Sequence, residues 1–473
     1  MIYIYLLSKI NIVGKLILDK QKFIEFVSNI NDTNKFVSYS QELNEKVFSK
    51  LIKRLLKISY SNFVYWNNPS QSFSFFGLGE IFAITQSVKN GQHTSINLHA
   101  KFKKNHYHNL NKINFNKAPL FIGAQKFPMP EKTSIWNNFD YYKWFIPKYL
   151  FLKDGNRYSV IVNVADANVD LDHYLNDLEK LISPDEENYK HENPKYIRIN
   201  TDDFSKWNDI VYSCLEKISK KELEKVVPAR NIKLELDTDI DIAEITATLE
   251  DVYPDCYTFV YHNNNSTFFG ATPEKLFKVD KGIIETDALA GSIQRGDSQI
   301  ADEELGNQLL ESEKDINEHN SVRNFLLEKL YPVTIDINYE CTPRLRKLSN
   351  IQHLWTPIKA KLRDDADVLS LIENLFPTPA VCGYPTKTAL KLIGSLENFD
   401  RGLYSGVIGW FNLENQGEFA VALRSALLKN NVLHAFAGCG IVEGSHPLSE
   451  YNETELKFKP ILSLFINETI DQS

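Results

Sequence analysis

Two acidic segments in the C-terminal half of the chain combine residue types and spacings that could bind a metal ion. The first is LGNQLLESEKDINEHNSVRNFLLEKL (305–330), and its pattern predicts one helix over 303–330. At about 100° per residue, Glu311, Asp315 and Glu318 then fall within roughly 60° of one another. A solvated acidic face is one interpretation. Apolar residues on the other sides of the helix favour burial instead, and a buried carboxylate needs a cation.

The second acidic segment is SHPLSEYNETELKFKPIL, for which we predict a helix over 447–466. Glu450, Glu453 and Lys457 are spaced i, i+3 and i+7, so they share a face of that helix. The small-residue run AGCG (437–440) precedes it and lets a ligand approach backbone N–H groups closely. Carboxylates without a nearby His or Cys suit Mg²⁺ better than zinc, so we expect a site for Mg²⁺ and an anion.

Three further ionisable residues lie in or beside apolar strands. KVVPAR (225–230) begins with Lys225, FFGATPEKLF places Glu274 at a strand end, and ALRSALL places Arg424 inside a strand. For Lys225, the hexamer alone favours a buried stem with its ammonium in water. For Arg424, a structural ion pair and bidentate binding of a substrate carboxylate remain equally open.

Two further segments contain runs of small residues. ETDALAGS (285–292) ends in small residues whose backbone N–H groups could hold a carboxylate. LFPTPAVCGYP (375–385) is a stiff segment bounded by prolines, with small residues between them. Both could line a ligand site.

The elements that must position these residues mix antiparallel strands with helices, which predicts an α+β fold. A helix fits 207–224, and the polar stretch ISPDEENYKHENPKY (182–196) is the candidate boundary between the two halves. Alternating apolar patterns predict strands at 158–164, 256–261, 266–272, 404–411, 417–428 and 431–442.

Composition narrows the possible function classes. The chain has 473 residues, a formal charge of −8 and 43% hydrophobic residues, so it can bury a large core and offers no electrostatic reason to bind nucleic acid. Five widely spaced cysteines without a CxxC pair argue against a disulfide framework and favour the cytoplasm. The apolar N-terminus (1–18) contains two lysines, so we interpret it as an edge strand or helix of the fold. No apolar run of 18 residues that could span a membrane occurs.

Taken together, the motifs resemble those of the chorismate-utilising enzymes, and most closely the isochorismate synthases. They cover about residues 220–462 in the family's order, whereas the first 200 residues resemble the family only weakly. The motifs are KVVPAR, FFGATPEKL, ETDALAGSIQRG, SEKDINEH, HLWTPI, FPTPAVCGYP, RGLYSGVIG, ALRSALL and AGCGIVEGSHPLSEYNETELK.

The resemblance implies an anthranilate-synthase-like fold: two stacked α/β subdomains around large antiparallel sheets, with the site between them. Residues 1–200 would form its divergent N-terminal part and residues 201–473 the chorismate-binding catalytic region, with the two parts intertwined in one domain. The implied ligands are chorismate and Mg²⁺. The implied metal ligands are Glu318 and Glu453, with Glu450 acting through a bound water.

The resemblance also implies where the substrate binds. Its carboxylates would be bound by a set of charged and backbone groups, and other side chains would line the pocket around its ring. The carboxylate binders implied are Arg424, Lys457, Gly438, Gly291 and Ser292, and the pocket-lining residues are His353, Ala380 and Tyr404.

The family mechanism gives Lys225 and Glu274 catalytic roles. By resemblance, Lys225 is the general base that deprotonates a water attacking C2 of chorismate. Glu274 is the general acid that protonates the hydroxyl leaving C4. An ordinary lysine has a pKa of about 10.4, so burial must lower the pKa of Lys225 and raise that of Glu274.

Lys225 also distinguishes between members of the family. Anthranilate synthases carry Gln there and use ammonia from a glutaminase partner, which we therefore do not expect here. Aminodeoxychorismate synthases carry a lysine in the ALAG region, where this chain has Ala288 or Ala290. The prediction is an isochorismate synthase that is a monomer, with a salicylate synthase as the alternative. The sequence leaves the menaquinone and siderophore pathways open, and we favour menaquinone.

Overall fold

The computed structural model describes residues 25, 36–57, 61–86, 107–109, 119–133, 135–165, 170–182, 196–198, 204–348 and 351–465. The predicted boundary at 182–196 and the N-terminal 18 residues lie almost entirely outside these ranges. No helix in the described ranges is both long and apolar enough to cross a bilayer. The five cysteines all lie within the described ranges and are unpaired.

Strands dominate the described part of the chain. Their bounds are β1 Phe36–Leu43, β2 Asn62–Asn68, β3 Phe73–Leu78, β4 Phe82–Gln86, β5 Tyr107–Asn109, β6 Leu120–Gln125, β7 Tyr142–Ile146, β8 Tyr149–Asp154, β9 Arg157–Val164, β10 Tyr196–Arg198, β11 Lys225–Val226, β12 Ala229–Leu236, β13 Tyr257–Asn263, β14 Ser266–Thr272, β15 Lys275–Asp280, β16 Ile283–Gln294, β17 Thr334–Tyr339, β18 Arg344–Lys347, β19 Ile351–Leu362, β20 Gly383–Tyr384, β21 Val407–Asn412, β22 Gly417–Val421, β23 Ser425–Lys429 and β24 Val432–Gly438.

Helices cover the outer faces of the sheets. Their bounds are α1 Glu45–Leu55, α2 Leu171–Ile182, α3 Phe204–Ser219, α4 Ile242–Val252, α5 Gln299–Glu311, α6 Glu313–Leu330, α7 Val368–Leu375, α8 Thr386–Leu396 and α9 Pro447–Leu462.

The described strands form two large sheets and one short ribbon. The first sheet has the order β10-β12-β24-β23-β14-β13-β2-β3-β8-β9-β1-β5, and the second has the order β17-β19-β16-β15-β22-β21-β6-β7-β4 with β18 also on β19. Pairing is antiparallel throughout except between β1 and β5. Each sheet joins strands from both halves of the chain, at β13–β2 and at β21–β6.

The period-two alternation of strands explains how the sheets stack. Along β21, Ile408 and Trp410 belong to a core shared by strands of both sheets. Val407 and Phe411 point the other way, into the core covered by α3, α6, α7 and α8. Successive strand residues face opposite sides, so one strand can serve both cores. A third core lies between the first sheet and α1, α2, α4 and α9.

The predicted α+β class and stacked antiparallel sheets are confirmed, but two predicted elements are wrong. The single helix over 303–330 is two helices, because Ser312 ends α5 and caps α6 by accepting a hydrogen bond from Asp315 N at 3.3 Å. Glu311 is therefore exposed on α5 and does not share a face with Glu318. A serine that prefers to bond the backbone favours a helix start over a helix interior.

The predicted strand 417–428 is also two strands. β22 belongs to the second sheet and β23 to the first, so residues 422–424 carry the chain from one sheet to the other. Arg424 sits at this crossover with φ 48°, a left-handed conformation that is uncommon for a residue other than glycine. The apolar run continues across the crossover, so the hydrophobic pattern does not reveal it.

Candidate active site

A cleft of about 720 Å³, its open mouth included, lies where the two sheets, α6 and α9 meet. That size suits a small-molecule ligand. Of the site residues that the family resemblance implies, all but Glu450 line this cleft, whereas Glu311 and Asp315 of the acidic helix pattern do not. Those lining it are Lys225, Glu274, Gly291, Ser292, Glu318, His353, Ala380, Tyr404, Arg424, Gly438, Glu453 and Lys457.

Lys225 enters the cleft from the short ribbon formed by β11 and β20. Its side chain is 2% exposed, so the interpretation that its ammonium reaches water is wrong. Nζ donates a hydrogen bond to Glu318 Oε1 at 2.6 Å. The amine therefore lies beside the carboxylate to which the family resemblance assigns metal binding.

Gly440 makes room for this contact. A Cβ at position 440 would lie 2.7 Å from Glu318 Oε1 and 2.7 Å from Lys225 Cε. The AGCG run predicts close approach of a ligand to the backbone, and its last glycine also accommodates the Lys225 and Glu318 side chains, which no pattern in the sequence indicates.

Glu274 follows β14 and faces the same cleft from the second sheet's side. Its backbone N–H donates to Thr272 Oγ1 at 3.2 Å, and its carbonyl accepts from Val421 N, which fixes the turn. Burial raises the pKa of Glu274 to about 7, even though the nearby Lys225, Lys457 and Arg424 favour its charged form. The upward shift expected for a general acid is therefore present.

Three cationic side chains line the cleft: Lys225, Arg424 and Lys457. Among the described residues, only Arg424 has no carboxylate within ion-pair distance. Lys225 pairs with Glu318, and Lys457 Nζ lies 2.5 Å from Glu453 Oε1. Burial lowers the pKa of Arg424 below its usual range. Of the two interpretations left open by the sequence, the structural ion pair is not found among the described residues, and the guanidinium faces the cleft.

Gly291, Ser292 and His353 form a neutral wall. The register of β16 against β19 shifts between Ala290 and Ser292, and Gly291 there has φ +74°. Ser292 Oγ and His353 Nδ1 lie 2.7 Å apart. Burial lowers the pKa of His353 to about 3, so the ring is neutral, and its buried Nε2 has no hydrogen-bond partner among the described residues. A ligand could provide that partner.

Two predicted binding positions lie where α9 meets β24. Lys457 Nζ donates to Gly438 O at 3.1 Å, which ties the helix to the end of the strand. The hydroxyl of Tyr404 lies 3.1 Å from where a Cβ at position 438 would be, so Gly438 leaves room for it. Ala380 faces the cleft from the proline-bounded loop.

Glu450 is the predicted site residue that does not line the cleft. It is buried on α9, and its Oε1 accepts a hydrogen bond from Lys314 Nζ at 2.8 Å. Burial raises the pKa of Glu450, and the neighbouring Glu453 raises it further. These crowded carboxylates on α6 and α9 favour a cation near them.

The donor set suits Mg²⁺. Within the described ranges no three His, Cys, Asp or Glu side chains converge as a complete metal site. However, Mg²⁺ is usually held by one or two protein carboxylates, with the remaining positions filled by water and ligand oxygens. Glu318 and Glu453 provide two carboxylates facing one cleft.

The sequence and the fold place this chain in a known family. A profile described as "Chorismate binding enzyme" matches residues 22–466, and the chain belongs to that family. Its particular similarity is to isochorismate synthases. It is 32% identical over 448 residues to isochorismate synthase MenF of Bacillus subtilis, covering 90% of this chain and 94% of that protein. This confirms the resemblance seen in the motifs.

Other relatives match in part or in fold. The salicylate biosynthesis isochorismate synthase of Pseudomonas aeruginosa is 40% identical over 251 residues, covering 53% of this chain and 52% of that protein. The solved structure of MenF, the menaquinone-specific isochorismate synthase from Escherichia coli, superposes with a TM-score of 0.77 at 23% identity, covering 94% and 99% of the two chains. Anthranilate synthase component I from Streptococcus pneumoniae superposes with a TM-score of 0.66 at 20% identity, covering 84% and 92%.

Proposed function

We propose that this protein converts chorismate to isochorismate. The observation that carries the proposal is that one cleft holds a buried amine, Lys225, and a buried carboxyl, Glu274, whose pKa of about 7 lets it hold a proton near neutrality. The full-length similarity to an isochorismate synthase supports the same reaction.

In the proposed reaction, Lys225 accepts a proton from a water molecule whose oxygen forms a bond to C2 of the ring. The ring double bonds shift, the bond from C4 to its hydroxyl oxygen breaks, and Glu274 gives its proton to the departing hydroxyl. One water enters and one leaves, so substrate and product are isomers. Each proton transfer is typically worth about 10²–10⁴ in rate.

The charges of the cleft suit a dianionic substrate. Arg424 faces the cleft without a carboxylate partner among the described residues, and its planar guanidinium matches a carboxylate in bidentate geometry. Glu318 and Glu453 are the residues that would hold Mg²⁺. When bound, the ion would supply positive charge that reduces the repulsion between these two carboxylates and a carboxylate of the substrate. Lys457 and Gly438 would bind the second carboxylate.

Product analysis tests the proposal. Purified protein, chorismate and Mg²⁺ without ammonia should yield isochorismate alone. Salicylate with pyruvate would assign the chain to the salicylate synthases instead, and unchanged chorismate would refute both. Lys225→Ala should abolish turnover while leaving the circular dichroism spectrum unchanged, and near-wild-type activity in that variant would refute Lys225 as the base.

The location, oligomeric state and pathway of the enzyme are also proposals. We propose that the enzyme acts as a cytoplasmic monomer without a glutaminase subunit, and that its product enters menaquinone synthesis. Support for that pathway is the similarity to the Bacillus subtilis MenF protein along 90% of the chain, against about half for the salicylate biosynthesis relative. Restored growth of a bacterial strain lacking its menaquinone isochorismate synthase would test it.

A further inference from the structure

The ribbon that carries Lys225 is too short to fix the lysine by itself. β11 has two residues, and it pairs with the two residues of β20 rather than with either large sheet. One additional bridge joins Val226 to Ile441. Short isolated ribbons are weakly stable, so other contacts must hold the backbone that follows Lys225.

A buried ion pair between Arg401 and Glu397 forms hydrogen bonds with the backbone that follows Lys225. The Arg401 and Glu397 side chains are 1% and 0% exposed, and Arg401 Nε donates to Glu397 Oε2 at 2.9 Å. Arg401 Nη2 donates to Val227 O at 2.5 Å, and Nη1 donates to Val381 O at 2.9 Å. Glu397 Oε1 accepts from Ala229 N at 2.8 Å. The pair therefore holds the chain at two and four residues beyond Lys225.

The same pair reaches two other walls of the cleft. Val227 and Val381 both line it, and Val381 is next to Ala380 in the proline-bounded loop. Arg401 also precedes Tyr404, whose N–H donates to the Arg401 carbonyl at 2.9 Å. The Arg401 guanidinium thus joins two lining segments that are far apart in sequence, and the Arg401 backbone holds the third.

We propose that Arg401 and Glu397 are positioning residues that hold Lys225 and the Ala380 loop in register across the cleft, an inference that rests on the proposed function. A buried ion pair is poor evidence for stability alone, because apolar residues of similar volume often serve as well. Apolar residues cannot, however, replace the planar guanidinium fork of Arg401, which donates hydrogen bonds to the carbonyls of Val227 and Val381 in two different segments. A lysine ammonium is a compact point charge and cannot reproduce that planar fork.

The first test is Arg401→Lys, which keeps the charge beside Glu397 but loses the fork. We expect kcat to fall about 10- to 100-fold, because small misplacements of a reacting group are costly. KM for chorismate should change less than about threefold, because Arg424 and Lys457 are untouched. In a Lys225→Ala background, adding Arg401→Lys should leave the Kd for chorismate unchanged.

Arg295→Lys, at a more exposed ion pair outside the cleft, is the control for the substitution itself. Arg295 also pairs with a carboxylate, donating to Asp302 Oδ1 at 2.6 Å, and it also donates to a backbone carbonyl, that of Leu348, at 2.6 Å. It does not line the cleft. The same substitution there should lower the melting temperature without lowering kcat.

Each outcome decides the matter. An unchanged kcat in folded Arg401→Lys, a loss that appears in KM instead of kcat, or failure to fold would assign the pair a structural role and overturn the inference. A wild-type protein that leaves chorismate unchanged overturns the proposed function itself. An active wild type with an equally active Arg401→Lys variant overturns this inference alone.

Discussion

Replacing Glu274 with glutamine should make the protein less active and, at alkaline pH, more stable. Burial raises the pKa of this carboxyl from 4.5 to about 7. Its folded form therefore binds a proton more tightly than its unfolded form, and ionising it destabilises the folded state. That cost is absent below about pH 4.5, grows as pH rises, and is complete above about pH 7.

The size of the effect follows from proton linkage. At about 1.36 kcal/mol for each tenfold change in proton affinity, the ionised Glu274 costs the folded state roughly 3 kcal/mol above pH 7. Glutamine is neutral at every pH and avoids this cost. The stability advantage of Glu274→Gln over wild type should therefore increase by roughly 2–3 kcal/mol between pH 5 and pH 8.

Urea unfolding of both proteins at pH 5, 6, 7 and 8, without metal or substrate, measures this difference. Chorismate consumption measured in parallel should fall about 10²- to 10⁴-fold in Glu274→Gln, because an amide cannot give up the required proton. The exposed Glu328→Gln controls for the loss of one negative charge. A stability difference that stays constant from pH 5 to pH 8 would refute the reasoning about burial, whatever the activity shows.

Three further predictions concern the rest of the cleft. Gly440→Ala should lower kcat about 10- to 100-fold in steady-state assays, because its Cβ would lie 2.7 Å from both Glu318 Oε1 and Lys225 Cε; an unchanged kcat would show that both side chains can shift freely. Arg424→Lys should raise KM for chorismate at least tenfold through loss of bidentate binding, and an unchanged KM would remove Arg424 from the binding site. Chelation by EDTA should stop turnover without altering the circular dichroism spectrum, and Mg²⁺ but not Zn²⁺ should restore it; activity that survives EDTA would contradict the metal assignment.

The family resemblance predicted the site better than periodicity predicted the local elements. Its motifs implied that Lys225, Glu274 and Glu453 share one site, and the three residues line one cleft. Periodicity did not predict where one strand ends and the next begins near Arg424. The apolar run there contains strands of both sheets, and both strands are apolar because both are largely buried. Periodicity also failed at Ser312, where the helical pattern continues across a capped break.

The role proposed for Glu397 and Arg401 could not have been derived from pattern. Their i, i+4 spacing reads as an ordinary ion pair on a helix surface, yet Glu397 ends α8 and both side chains are buried. Their importance depends on contacts with residues far away in sequence. Such long-range contacts leave no local trace in a single sequence.

The way the sheets interleave the two halves of the chain has a consequence for synthesis on the ribosome. Asn62 pairs with Asn263, and Thr258 pairs with Asn67, so the partner of β2 is made about 190 to 200 residues later. At ~5–20 residues per second, this leaves an apolar strand edge without its neighbour for roughly 10 to 40 seconds. Nascent chains must therefore be shielded from pairing with one another during that interval, because open edges promote aggregation.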